Sequence, residues 1–458
     1  MKQWKKFLIG ISAGLLLLPT LIPVQAAPAN QPTISAESAM VVDAVNGQIL
    51  YEKNALALGQ VGNVSKLLSL LVIYDALDAG TIQLDDQVEL SSAAYELSQD
   101  YNVANVPLRQ DFQYSVAELL EAVNTGSANG ALLALAEHVA GDQAAFQALM
   151  QAKVDSILAD NSQIGPLEAA EWQALAPEIV NITGLPTNYQ PNTGAVDLTK
   201  GKTNQLNAIL LAVISYQLVQ NHPEVLEATK LPKRLFREET DDQFELLNHN
   251  EMLAGGSHAY EGTEGLAVGV NQQATVVEVT NRKELRVITV VQGAKDAVTA
   301  YNDTKKILDY VYATYQLQRV VEAGAETRQL KQLAIFNGDP EQVSTYYMDT
   351  LNLVTPIIDT TPRFEYRLEL DPAVLEEVDG VVKLKAELPA NQVVGQMVAS
   401  IKDTTLRFIP TSKSNHVPVA ISQAVKPANF FVNWWRGTGK AVGDGVDGIR
   451  RFFTNLFN

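Results

Sequence analysis

The stretch Gln60–Ser69, Gln-Val-Gly-Asn-Val-Ser-Lys-Leu-Leu-Ser, sets the terms for this chain. It follows a hairpin signal and opens a strongly apolar helical run, Leu67–Leu77, which ends near Gly80. The hairpin signal is Asn46-Gly47 between two short apolar-rich runs, Ala39–Asp43 and Gln48–Glu52. Asn-Gly suits a tight turn whose residues need positive φ, and this makes it a strong local marker of paired strands. A helix must therefore enter the fold directly behind two strands. With 458 residues there is chain enough for a sizeable core and more than one domain.

Helices follow. Ser115 with Glu118 three residues on makes a capping box, in which each side chain satisfies the other's backbone N–H. A second helix is expected from about Ala131 to Ala140, closed by Gly141, and a third over Gln143–Ile157. Ala159–Lys202 carries four prolines and little periodicity, and reads as a surface excursion. Thr203–Asn221 returns to helical spacing through Leu206, Ile209, Leu210, Val213 and Leu218. Ala274–Thr280 and Leu285–Gln292 read as a second hairpin, and Ala297–Tyr315 as a helix. Strands, then helices, then strands again point to an α+β layer, with the first hairpin joining the late one in a mainly antiparallel sheet. From Leu317 to Ile421 the pattern changes to short β-type segments, among them Phe364–Leu370, Val381–Ala386 and Leu406–Pro410, expected to form a small all-β domain.

The ends carry addresses. Met1–Ala26 reads as a secretory signal: Lys2, Lys5 and Lys6, the apolar stretch Phe7–Leu18, and a small-residue cleavage site at Val24-Gln25-Ala26. Its apolar run is shorter than the ~20 residues a spanning helix needs. Removing its three lysines takes the net charge from −18 to −21, which argues against nucleic acid as a partner. The chain has no cysteine, so disulfides and thiol chemistry are excluded. Its five histidines show no metal-ligand spacing, and neither metal nor cofactor is expected. Residues 427–458 place Phe430, Phe431, Trp434 and Trp435 ahead of Val442, Val446, Ile449, Phe453 and Leu456 at steps of three and four. Four basic residues against two acidic ones give this tail the character of an amphipathic membrane-associating helix. Its five glycines cost ~1 kcal/mol of helicity each relative to Ala, so ordering is expected on lipid.

An ordered set of segments resembles the serine D-alanyl-D-alanine carboxypeptidases, the low-molecular-mass penicillin-binding proteins, over nearly the whole mature chain. The set begins with Val41-Val42-Asp43, Asn46-Gly47 and Leu50–Asn54, then Tyr114-Ser115, Glu118-Leu119-Leu120 and Ser127-Ala128-Asn129. It continues through Leu135–Glu137, Ala140-Gly141, Asn181–Pro186, Asn248-His249-Asn250, Leu253, Tyr260, Gly262–Leu266 and Arg286–Gly293. The resemblance implies a β-lactamase/penicillin-binding-protein-like domain over 35–316, an antiparallel sheet flanked by helices. A β-rich domain over 317–421 and the tail over 427–458 would follow it. It also implies a place outside the cytoplasmic membrane, at its outer face or in the cell wall, and peptidoglycan stem peptides as ligands.

The family's chemistry uses a nucleophilic Ser with a Lys three residues on, which takes its proton, a Ser-x-Asn motif lining the cleft, and a Lys-Thr-Gly strand that binds the substrate carboxylate. Lys66, Ser127 and Asn129 occupy the matching positions here. Asn63 stands where the nucleophile belongs, and a carboxamide cannot form an acyl-enzyme ester. Ser65 is adjacent to Lys66, about 100° round a helix, and does not face it. Glu264-Gly265-Leu266 fills the lead-in to the third motif, so that motif falls on Ala267, Val268 and Gly269. Without its lysine, a charge pair worth ~4 kcal/mol at ~4 Å and an effective dielectric of 20 is absent. Lys202-Thr203 is expected to open a helix and so cannot replace it.

These departures imply a catalytically inactive member of the family, with Lys66, Ser127, Asn129 and the Asn63 amide facing one another across a cleft, that binds wall peptides weakly or regulates other cell-wall enzymes. Two alternatives stand beside it. One is a working carboxypeptidase whose nucleophile is Ser65 or Ser127, and the other is an envelope adaptor acting through its β domain.

Overall fold

The turn at Asn46-Gly47 joins strand β1 (Ser38–Asp43) to β2 (Ile49–Lys53) in antiparallel register, with Val41 opposite Tyr51. The computed structural model describes residues 31–160, 171–172, 175, 177–192, 201–328, 332–358, 362–378 and 381–429. The leader expected at 1–26 lies outside them, as does all but the first three residues of the expected tail.

Helix α1 (Lys66–Asp78) follows the hairpin, and every residue from Lys66 to Tyr74 is buried. A helix apolar on all sides has to be enclosed on all sides. Around it lie α2 (Val116–Gly126), α3 (Asn129–Ala140), α4 (Gln143–Ala159) and α5 (Ala208–Asn221). Ser115 caps α2 through the full capping box with Glu118.

The chain then returns to strands: β3 (Thr263–Val270), β4 (Ala274–Arg282) and β5 (Leu285–Ala294). They complete a five-stranded antiparallel sheet in the order β2-β1-β5-β4-β3. The strands of the second hairpin run longer than their periodicity suggests. Their turn is Lys283-Glu284, both at positive φ (52° and 66°), which fits a two-residue connection of matching twist. Alternation along the strands divides the core. Met40, Val42, Val277, Val279, Ile288 and Val290 face the helical lobe around α1. Ala39, Val41, Val276, Val287 and Val291 face the opposite side, where α6 (Ala297–Thr314) lays down Ile307, Leu308 and Val311.

Two local expectations fail. α5 begins at Ala208, not Thr203, because Gln205-Leu206 pairs with Gly59-Gln60 and the Asn207 side chain accepts from Leu210 N–H as the helix cap. Lys202-Thr203 therefore lies ahead of that pairing and opens no helix. Leu406–Pro410 forms no strand either; it runs beside the first hairpin, with Ile49 N–H donating to Arg407 O at 2.8 Å.

Beyond α6 a second five-stranded antiparallel sheet is built from β6 (Gln332–Ala334), β7 (Gln342–Tyr347), β8 (Phe364–Leu370), β9 (Val393–Ile401) and β10 (His416–Ile421). Its order is β6-β7-β10-β9-β8. The strand Tyr315–Val321 leads into it, paired with Leu351–Pro356. The turn of the first hairpin holds this part of the chain. The Gln48 carboxamide donates to Val354 O (2.8 Å) and accepts from Val354 N–H (2.9 Å), as a strand backbone would. Gly47 has φ +76°, and a Cβ there would come within 2.4 Å of the Ser412 Cβ.

Candidate active site

The segment carrying Asn63 is a short 3₁₀ turn, Gly62–Ser65, that feeds α1. Two glycines from distant elements press on it. A Cβ at Gly269 of β3 would lie 2.4 Å from Val61 O, and one at Gly184 would lie 2.0 Å from Gly62 O. Real Cβ atoms do not approach that closely, so both contacts need glycine.

Lys66 is the first residue of α1 and only 3% exposed. Its Nζ donates to Ser127 O at 2.8 Å and Ser127 Oγ at 2.9 Å. Ser127 sits between α2 and α3 at a left-handed φ of 54°, a conformation that costs a non-glycine residue energy and turns its carbonyl and hydroxyl toward Lys66. Burial pushes the Lys66 ammonium down to about 7. No carboxylate among the described residues pairs with it.

Lys66, Ser127 and Asn63 line one small pocket with Leu266, Ala267 and Val268 of β3. Asn124, Thr125 and Thr229, which the sequence reading did not single out, line it too, with Asn248, His249 and Asn250. The adjacency of Asn124-Thr125 to the Ser-x-Asn motif could have marked them; nothing in the sequence marks Thr229. Asn250 is fixed from behind by Glu278 of β4, whose Oε1 accepts from its amide at 2.5 Å. Glu278 is fully buried, and burial raises its carboxyl to about 8. The pocket's volume is about 60 Å³, against the ~300–1,000 Å³ usual for a drug-sized ligand.

Asn129 stands apart from the lining residues. It is buried, its amide donates to Ala104 O at 2.8 Å, and its Oδ1 has no partner. Ser65 is buried as well, with its hydroxyl unpartnered, and does not line the pocket. Gly269 touches the 3₁₀ turn and not the pocket. A larger cavity of about 480 Å³ lies among Ile49, Ala55, Trp172, Ile209 and Phe408, with none of the expected site residues in its wall. Among the described residues no cluster of His, Asp or Glu could hold a metal, and no helix is long and apolar enough to cross a membrane.

An antiparallel sheet between a helical lobe and a lone helix, with a Lys–Ser pair at its edge, defines the class of penicillin-binding proteins. The solved structure of a *Streptococcus pneumoniae* penicillin-binding protein 3, described as a peptidoglycan synthesis regulatory factor, is similar over 86% of this chain and 100% of its own, at 27% identity and a TM-score of 0.66. Penicillin-binding protein 5 of *Haemophilus influenzae* shares the fold at 20% identity and a TM-score of 0.61, covering 87% of this chain and 99% of its own. In sequence, the carboxypeptidase DacF of *Bacillus subtilis* is 24% identical over 68% of this chain and 72% of its own. DacA of *Escherichia coli* K12 is 23% identical over 93% and 91%. Residues 25–296 match the D-alanyl-D-alanine carboxypeptidase family, and the chain belongs to that family.

Proposed function

We propose that this protein is an exported, catalytically disarmed D-alanyl-D-alanine carboxypeptidase homologue that acts in the cell envelope by regulating peptidoglycan enzymes, its tail resting on the membrane surface. One observation carries the reading. In a pocket that keeps the Lys66–Ser127 pair, the nucleophile position holds a carboxamide, Asn63, and the strand opposite offers Ala267 and Val268. A pocket of about 60 Å³ also leaves little room for a stem peptide, which favours regulation over peptide binding. The pneumococcal relative, described as a peptidoglycan synthesis regulatory factor, supports this reading. The test is release of D-alanine from a pentapeptide ending in D-Ala-D-Ala; the expected result is no release above the protein-free blank.

A second reading has one observation in its favour. Ser127 Oγ lies 2.9 Å from an amine that burial brings to about 7, the arrangement of an activated nucleophile and its base. It requires D-alanine release that disappears in Ser127→Ala. Ser65, buried and away from the pocket, gains no support of this kind.

A further inference from the structure

We propose that the Lys66 pocket is a receptor for one small monovalent anion of about the size of formate, held by the Lys66 ammonium. Lys66 is buried, and both of its hydrogen bonds go to neutral oxygens of Ser127. No acidic side chain lines the pocket. A buried cation without a counter-charge is costly, and an anion seated beside it relieves that cost. Lys66 also opens a helix of thirteen residues, whose N-terminal end adds positive potential.

A separate observation points to a ligand. Thr125 lines the pocket at 2% exposure, and its hydroxyl has no partner. A buried hydroxyl left unpaired is penalised, and an anion would accept from it. The Asn63 carboxamide, half-buried at the same pocket, hydrogen-bonds to no described residue and supplies two further N–H donors. The pocket is small, about 60 Å³ against the ~300–1,000 Å³ usual for a drug-sized ligand, which suits a small ion.

The inference rests on the disarmed reading of the same site, because a serine at position 63 would turn the pocket toward acyl transfer. Lys66 from α1 and His249 from the Asn248–Asn250 segment are the titratable residues in the pocket wall; Ser127, Thr229 and the β3 residues contribute none. Behind Asn250 stands Glu278, bonded to its amide. Anion binding that needs protonated Lys66 weakens as pH rises.

The test titrates the mature protein with sodium formate at constant ionic strength, balanced with bulky gluconate, and follows the unfolding midpoint and the ¹³C line of labelled formate. Saturable binding is expected near about pH 6, weaker by about tenfold or more near about pH 9. It should be lost in Lys66→Met, reduced several-fold in Thr125→Val, and keep its pH dependence in His249→Gln. Formate binding that survives Lys66→Met, pH dependence that vanishes with His249→Gln, or no binding to the wild-type protein would overturn the proposal. A penicillin adduct on the wild-type protein would overturn the disarmed reading and leave the formate result standing, so the two failures are distinguishable.

Discussion

The two walls of the pocket keep different things. On the helix side, Lys66 donates to the Ser127 carbonyl at 2.8 Å and to its hydroxyl at 2.9 Å. On the strand side stand Ala267 and Val268, and Gly269 follows them against the 3₁₀ turn. The geometry gives the reason for the glycine: a side chain there would collide with Val61 O and crowd the N–H groups of Asn63 and Val64. Packing demands it whether or not the site reacts. Ala267 and Val268 have only to continue a strand opposite Val277 and Val276. A matching residue thus informs about chemistry only where the fold does not already require it. By that standard Asn63, Ala267 and Val268 speak to activity and Gly269 does not.

The contrast can be broken most forcefully at the glycine. Gly269→Val should cost about 3 kcal/mol or more, since backbone on the facing turn has to move; a denaturation midpoint equal to wild type would show that the close approach is not required. The helix side responds in the opposite direction. Each pKa unit is worth 1.36 kcal/mol, so lowering Lys66 from 10.5 to about 7 marks a burial cost of about 5 kcal/mol when protonated. Met in its place leaves the Ser127 carbonyl and hydroxyl without this donor, which offsets part of the gain. Lys66→Met should therefore stabilise the protein, by about 2 kcal/mol below pH 7. The sign follows from linkage: between about pH 7 and 10.5 the folded state has shed a proton that the unfolded state keeps, so wild-type stability rises and the variant's advantage shrinks. An advantage that grows with pH would contradict the assignment.

Glu278 sharpens the comparison behind the pocket. Its folded value, about 8, lies above the ordinary 4.5, so its contribution is full below pH 4.5 and lost as pH rises through 8. Glu278→Gln should gain stability relative to wild type across that window, most at its upper end, measured as denaturation midpoints at several pH values. The smallest effect lies away from the pocket: Ser115→Ala should cost about 1 kcal/mol by uncapping α2, with no change in the titration of Lys66.

Local chemistry made much of this fold legible. Asn46-Gly47, the Ser115–Glu118 box and the apolar run after Lys66 each encode their own structure within a few residues. What escaped depends on partners distant in sequence. The start of α5 is set by a two-residue pairing with Gly59-Gln60, and Leu406–Pro410 is held by the first hairpin, some 360 residues earlier. The site shows the same division. Lys66 and Ser127, named from motif spacing, line one pocket, whereas Thr229 reaches it through tertiary packing. Motif spacing also grouped Asn129 with them, although its amide serves the Ala104 carbonyl.

The central claim is that a retained scaffold has been disarmed at named positions, and intact mass after incubation with excess penicillin tests it most directly. The wild-type protein should gain no mass, while an Asn63→Ser, Ala267→Lys, Val268→Thr variant should gain one penicilloyl group on Ser at position 63. A stable adduct on the wild-type protein would contradict the account, and mapping it would show whether Ser127 is the nucleophile.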